Sequence, residues 1–353
     1  MTQLTDIVDE AALHAAVAAG HVRVQRHPAR PYVIYNYTEA CQYSGAWTPV
    51  TLTCRGLIVD EATGDVLARP YPKFFGHGQA EAPVVAPDTE VVVTDKADGS
   101  LGVIFRDGEQ LAVATRGSFA SEQAVHATAL LRERYAGWAP PPGTTVLVEI
   151  VYPGNRIVLD YGGLDDLILL GSVDIASGRT TGPEGVPDWP GPVVESFAYA
   201  TFAEALAAGP RDGKEGLVVH VPATDERVKI KYAEYVRLHR LVTGLTSRTV
   251  WEVLAGGGNL AALTEPLPDE FHVWVRAVAE ELTARVDERV TQVEAAFAAI
   301  VAGLPEGWTR KEFAAAAVRH PDRGPLFARL DGKDYRPGLW LQARPDADGI
   351  STP

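Results

Sequence analysis

The chain is poor in cysteine: among its 353 residues there are two, Cys41 and Cys54. Two isolated thiols make neither a disulfide framework nor a zinc site, so both are expected to be small buried hydrophobes. Long apolar runs are also missing, and none approaches the ~20 residues that a membrane helix needs. The first ten residues, MTQLTDIVDE, are acidic and lack the basic-then-apolar order of a signal peptide. These absences predict a cytoplasmic protein with no membrane partner. Positive charge is scarce as well, with 32 Lys and Arg against 46 Asp and Glu and a net charge of -14. An acidic surface repels a polyanion and argues against a pure nucleic-acid-binding module, although a local positive stripe can still hold phosphates. Lysines are few, and several fall in the segments described below.

What is present is an ordinary globular composition, 46% apolar, in a chain long enough for two or three domains. Residues 1 to about 30 read as a helix. Ile7, Ala11, Leu13, Ala15 and Val17 are spaced for one buried face, and Gly20 ends it. From Tyr32 onward the pattern changes to short apolar runs between turn residues: PYVIYNY, CRGLIVD, EVVVTDKADGSLGVIF, QLAVATRG, TTVLVEIVYP, DDLILLGSVD, EGLVVHV and VKIKYAE. These are expected strands. ATGD at 62–65 and RDGE at 106–109 are hairpin turns. Helices are expected over 121–135 and near 201–208. The mixture predicts an α+β fold with mostly antiparallel sheets rather than a βαβ alternation.

Near residue 240 the period becomes helical. A helix is expected in LHRLVTGLTSRTVWEVLAGGG, and a long one begins at Pro268 and Asp269 and stops at Gly303. TRKEFAAAAVRH opens with a capping Thr and makes another. The predicted organisation is therefore a first domain over 1–240 and an all-helical C-terminal domain over 241–353, ending in a loose tail.

The strongest chemical signal is Lys96-Ala97-Asp98-Gly99-Ser100, a lysine at a tight turn between two apolar strands. A protonated lysine is a poor nucleophile, but nearby cations, a metal ion or burial can free its amine to attack an activated phosphorus. Alone, this pattern is weak, because a Lys near an Asp-Gly turn is more often a solvated hairpin. Four other segments change the balance. Lys214-Glu215-Gly216 sets a carboxylate directly before a strand. Val228-Lys229-Ile230-Lys231 alternates and puts two ammonium groups on one strand face, where they suit a polyphosphate. Glu149 interrupts a very apolar strand, and Asn155-Arg156-Ile157-Val158 follows it. Arg55-Gly56 and Lys73-Phe74-Phe75 offer a phosphate fork and an aromatic face for a purine, although one of the two phenylalanines is expected in the core.

Taken in order, KADGS, VEIVYPGNRIV, KEGLVV and VKIK resemble the motifs of the covalent nucleotidyltransferases, which include DNA ligases, RNA ligases and mRNA capping enzymes. The segments CRGLIVD, YPKFFGHGQ, ATRGSFASEQ and YVRLHRLVTG are similar specifically to the RNA ligase 1 branch of that superfamily. The resemblance runs over roughly residues 30–250. It implies a nucleotidyltransferase (ATP-grasp-like) domain and an ATP-dependent RNA ligase that joins 5′-phosphate and 3′-hydroxyl RNA ends with Mg²⁺ or Mn²⁺. By the same resemblance Lys96 would be the nucleophile that takes AMP. Arg55 and Lys73 would contact the nucleotide and its phosphates, and Phe75 would stack near the adenine. Gly99 would lie in the nucleotide-binding turn, and Glu149 and Arg116 would bind the ribose region. Glu215 would help to hold the metal, and Lys229 and Lys231 would bind the triphosphate and stabilise its transition state. Two positions depart from the family pattern. Gly76 stands where KFFN is common, and Arg116 stands where the phage T4 member of that branch has Lys, which keeps the charge but changes its geometry.

Two other classes remain open on sequence. One is another covalent nucleotidyltransferase, a DNA ligase or a capping guanylyltransferase, against which the RNA ligase 1-like flanks argue. The other is a catalytically inactive nucleic-acid-binding relative. It is disfavoured because Lys96, Glu149, Glu215, Lys229 and Lys231 are all present. No feature of the helical part specifies a protein partner.

Overall fold

A computed structural model describes the chain except residues 156, 160, 234, 237, 238, 240–244, 265–268 and 346–353, and the side chains of Asp269 and Glu270. The chain divides into two compact units, Met1–Thr243 and Gly244–Pro353.

The first unit begins with helix α1 (Glu10–Ala18), capped by Asp9, whose side chain accepts from the Ala12 N–H at 2.7 Å. The helix expected over 1–30 is thus confined to nine residues. Gly20 leaves it at φ 74°, and the next stretch, VRVQR, forms strand β1 (Val22–Arg26). Its alternating pattern has the strand period of two, and pairing with its neighbour overrides any helical continuation. The strands that follow are β2 (Tyr32–Tyr37), β3 (Arg55–Asp60), β4 (Val66–Ala68), β5 (Phe75–Gly76), β6 (Val92–Asp95), β7 (Ser100–Asp107), β8 (Gln110–Thr115), β9 (Thr144–Val151), β10 (Asp166–Asp174), β11 (Thr180–Thr181), β12 (Ser196–Phe197), β13 (Gly216–Val221) and β14 (Glu226–Lys231). Short helices α2 (Glu39–Ser44) and α3 (Pro49–Thr53), then α4 (Glu122–Arg134) and α5 (Phe202–Ala207), lie between them.

Three sheets result, ordered β1-β2-β3-β4, β11-β10-β9-β7-β8 and β12-β6-β13-β14-β5. Their pairings are antiparallel except β14 with β5. Two turns are as read: Gly64 (φ 79°) returns β3 to β4 and Gly108 (φ 69°) returns β7 to β8. One core packs Ile104, Val148, Ile150, Leu167 and Leu169 against Ala127 and Leu131 of α4. Another joins Val93, Leu217 and Val219 with Phe202 of α5. The strands carrying the chemical motifs are therefore fixed by apolar residues on their buried faces. Cys41 and Cys54 are buried free thiols, and burial pushes Cys54 up to about 12.

The second unit is helical. It comprises Ser247–Ala255, Leu260–Thr264, the long Asp269–Ala302, Arg310–Ala317, Arg323–Leu330 and Arg336–Gln342. A cluster of Val293, Phe313, Ala317 and Leu326 holds the later helices together. Thr309 and Glu312 form the expected capping box. The expected start of the long helix at Pro268, the C-terminal tail beyond 345 and the expected boundary at 240/241 lie outside the described residues. Among the described residues no helix is long and apolar enough to cross a membrane.

Candidate active site

Lys96 directly follows β6, and its backbone N–H donates to Gly216 O at 3.0 Å. This bond continues the β6–β13 ladder by one residue and brings Glu215, just ahead of β13, beside it. The Lys96 Nζ lies 2.6 Å from Glu215 Oε1, and Lys231 Nζ lies 3.0 Å from the same oxygen. Glu215 is buried, with 2% of its surface exposed. Burial alone would raise its carboxyl, but Lys96 and Lys231 outweigh that effect and hold it below the usual carboxylate range. Gly216 is what lets the strands close. A Cβ there would meet Ile230 O at 2.0 Å, so only glycine lets β14 bring Lys231 to Glu215.

The turn after Lys96 rests on β9. Gly99 donates its N–H to Glu149 Oε1 at 3.0 Å, and a Cβ on Gly99 would meet Ile150 O at 2.5 Å. Glu149 faces into the site from β9, between Val148 and Ile150, both fully buried. Burial pushes its carboxyl up to about 7, against the opposing pull of Lys96; Glu215 and Asp98 add to the rise, and Arg55 works against it. Lys96, Glu149, Glu215, Asp98 and Arg55 thus share one electrostatic neighbourhood.

Asp98 received no role in the sequence reading, yet it is a hub. Its Oδ2 accepts from the Val158 and Leu159 N–H groups at 3.0 and 2.9 Å, and its Oδ1 accepts from the Tyr235 hydroxyl at 2.8 Å. Its own N–H donates to Tyr161 Oη at 2.7 Å. A cavity of about 130 Å³ opens beside it, lined by Tyr152, Asn155, Tyr161 and Leu164 among others. The signal available in the sequence was its place in the turn, two residues after Lys96.

Lys73, Phe74 and Phe75 separate into two environments. Lys73 is buried, and its ammonium sits 5.2 to 5.5 Å from the ring centres of Tyr37, Trp47 and Phe75. Phe75 is buried against Trp47, ring centres 5.3 Å apart. Phe74 is only half-buried, with the Arg55 guanidinium 5.7 Å and the Lys229 ammonium 5.1 Å from its ring centre. Arg116 hydrogen-bonds the Tyr37 hydroxyl at 2.9 Å and lies over that ring at 5.0 Å. Its backbone is close to Gly56, where a Cβ would meet Arg116 O at 3.2 Å. The structure therefore gathers Lys96, Gly99, Glu149, Glu215 and Lys231 directly. It brings Arg55 and Lys229 together across Phe74, and it sets Lys73, Phe75 and Arg116 around the Tyr37–Trp47 pair. Arg156 of the NRIV segment and part of YVRLHRLVTG lie outside the described residues.

Antiparallel sheets presenting a lysine turn, two carboxylates and a lysine-bearing strand, followed in sequence by a helical region, make this a mixed α/β protein. Residues 53–198 match the family model described as RNA ligase. Over that stretch the chain is similar to the T4 RNA ligase 1-like family. An uncharacterized protein of Ostreid herpesvirus 1 is 31% identical over 168 residues, covering 44% of this chain and 40% of that protein. Among solved structures, Naegleria gruberi RNA ligase with PPi is 18% identical with a TM-score of 0.34, covering 43% of this chain and 52% of that one. A variant of the same enzyme with ATP and Mn is 19% identical with a TM-score of 0.35, covering 44% and 53%. The chain spans 40% of its curated relative and about half of these solved chains.

Proposed function

We propose that the chain is an ATP-dependent RNA ligase that works through a covalent lysyl-AMP on Lys96. The observation that carries this reading is the convergence of Lys96 and Lys231 on the buried Glu215, in a chain whose residues 53–198, Lys96 among them, match a family model described as RNA ligase. The Lys96 amine would attack the α-phosphorus of ATP, forming an N–P bond while pyrophosphate leaves. AMP would then pass to a 5′-phosphate RNA end, and a 3′-hydroxyl end would displace it and seal the strand. The covalent intermediate divides one difficult condensation into easier steps.

The lysine must shed a proton first. Lys231 ends on the same carboxylate oxygen and places a second positive charge beside Lys96. Lys229 and Lys231 project from one face of β14 and would offset charge building on the leaving phosphates. Arg55 and Phe74, beside Lys229, would lie along the same phosphate path. Arg116, Glu149, Gly99, Lys73 and Phe75 would shape the nucleoside end.

A divalent cation, Mg²⁺ or Mn²⁺, would use Glu215. Its carboxylate is kept anionic by two lysines, which suits a hard cation. Among the described residues no group of three His, Cys, Asp or Glu is placed to hold a metal, so phosphate oxygens and water would complete the shell. When bound, the ion neutralises phosphate charge.

In this reading the first domain, over 1–240, carries the lysine chemistry, and the helical second domain holds a particular RNA end. The deciding experiment is incubation with α-labelled ATP or GTP and Mg²⁺ followed by denaturing electrophoresis. Label from ATP should stay on the protein and vanish in Lys96→Ala. Full labelling of that variant would overturn the assignment, and preference for GTP would favour a capping-type enzyme.

A further inference from the structure

Adjacent residues on an extended strand project to opposite faces. Lys96 and Glu215 meet on one face of the β6–β13 pair; the residues immediately before them, Asp95 and Lys214, meet on the other. Asp95 Oδ2 accepts from Lys214 Nζ at 2.7 Å, and Asp95 Oδ1 accepts from Arg211 at 2.5 Å. The Asp95 backbone is held as well, its N–H donating to Glu195 O at 2.8 Å, and Leu217 pairs with it across the ladder. Glu195 extends the cluster by accepting from Arg211 at 3.1 Å. The guanidinium of Arg211 lies 4.2 Å from the Phe197 ring centre, which fixes its position.

Asp95 is 7% exposed, so a single buried carboxylate carries two cations that both come from the loop leading into Glu215. The 2.6 Å contact between Lys96 and Glu215 depends on where that loop sits against β6. We propose that Asp95, clamped by Arg211 and Lys214, is a positioning residue that sets Glu215 against Lys96 for adenylyl transfer. This inference rests on the reading of Lys96 as the nucleophile. None of the three clamp residues touches Lys96 or Glu215 through its side chain in the contacts described above, so the effect travels through the register of the two strands. Charge-assisted bonds on a buried acceptor are the kind that can hold such a register.

The test is single-turnover labelling of the full chain with α-labelled ATP and Mg²⁺, measured across ATP concentrations. Asp95→Asn keeps the shape and removes the charge. Its maximal labelling rate should fall about tenfold or more, with the half-saturating ATP concentration unchanged within about twofold, because the clamp does not touch the nucleotide. Lys214→Met should lower the rate less, since Arg211 still holds Asp95. The double variant should be no slower than Asp95→Asn alone, because one break already releases the loop. A folded Asp95→Asn protein with an unchanged maximal rate overturns the inference. So does a raised half-saturating ATP at full maximal rate. If Asp95→Asn does not fold by circular dichroism, Lys214→Met carries the same test, and an unchanged rate there overturns it. A wild-type chain that takes no label overturns the nucleophile reading together with this inference, whereas a labelled wild type beside an equally fast Asp95→Asn overturns this inference alone.

Discussion

Lys96 and Glu215 form an ion pair of 2.6 Å between the end of β6 and the start of β13, with Lys231 3.0 Å from the same carboxylate oxygen. Two lysines thus share one buried acid. Glu215→Gln would leave both ammonium groups without their counter-charge. Breaking a buried pair by removing one partner costs about 3–5 kcal/mol. The expected outcome is a clear fall in the melting temperature at pH 7 and loss of lysine labelling. The stability that Glu215 contributes is present above the ordinary carboxylate pKa and is lost as pH falls through its depressed folded value. Wild type and Glu215→Gln should therefore converge in stability toward low pH. Melting curves from pH 3 to 8 check this, and a constant gap would count against the pairing.

Lys229 and Lys231 share a strand face but have different neighbours, Phe74 for the first and Glu215 for the second. If each supplies a transition-state contact of ~3 kcal/mol, either alanine variant should lower the labelling rate about 10²-fold. Single-turnover labelling measures it. Unchanged rates in both would reduce the strand to a solvated edge.

Glu149 has the opposite electrostatic character. Its carboxyl is raised to about 7, so the folded chain prefers it protonated. The cost of ionising it is absent below about pH 4.5, grows as pH rises, and is complete above about pH 7. Because the residue keeps some exposure, about 3 kcal/mol is an upper bound for that cost. Glu149→Gln can still accept from Gly99 and removes the charge. Without nucleotide or metal it should melt higher than wild type at pH 8 and about equally at pH 5. Equal melting at both values would show that Glu149 ionises at its ordinary pKa.

The two neighbouring phenylalanines should respond differently. Phe75→Ala opens a cavity beside Trp47 and should cost about 3–5 kcal/mol of stability. Phe74→Leu leaves the core filled and removes the ring beside Arg55 and Lys229. It should raise the half-saturating ATP in the labelling assay with little change in melting temperature. Identical behaviour of the two variants would erase this distinction.

A chain truncated near Thr246 should keep a measurable lysine-labelling signal and lose rate or selectivity in sealing RNA. Circular dichroism must show that it is folded before activity is read. A folded truncation that seals every substrate as well as the full chain would remove the recognition role from the helices.

The sequence by itself determined a large part of this protein. Alternating apolar runs placed most strands, Asp-Gly and Thr-Gly turns placed two hairpins, and a capping Thr placed the start of the helix at Arg310. These are local signals, set by backbone sterics and side-chain period. The motif order also singled out Lys96, Glu149, Glu215, Lys229 and Lys231 as candidates for one site. The early helix was read too long because VRVQR becomes a strand only through pairing with β2, a partner that no local window contains. Only the tertiary structure decided that Glu215 is shared by two lysines, that Phe74 and Phe75 face different surroundings, and that Asp98 and Asp95 are held from several segments. Each of those facts depends on distances across strand pairs and loops remote in sequence. Burial, which turns a carboxylate into an anchored acceptor or raises its pKa, exists only once the sheets have closed around it.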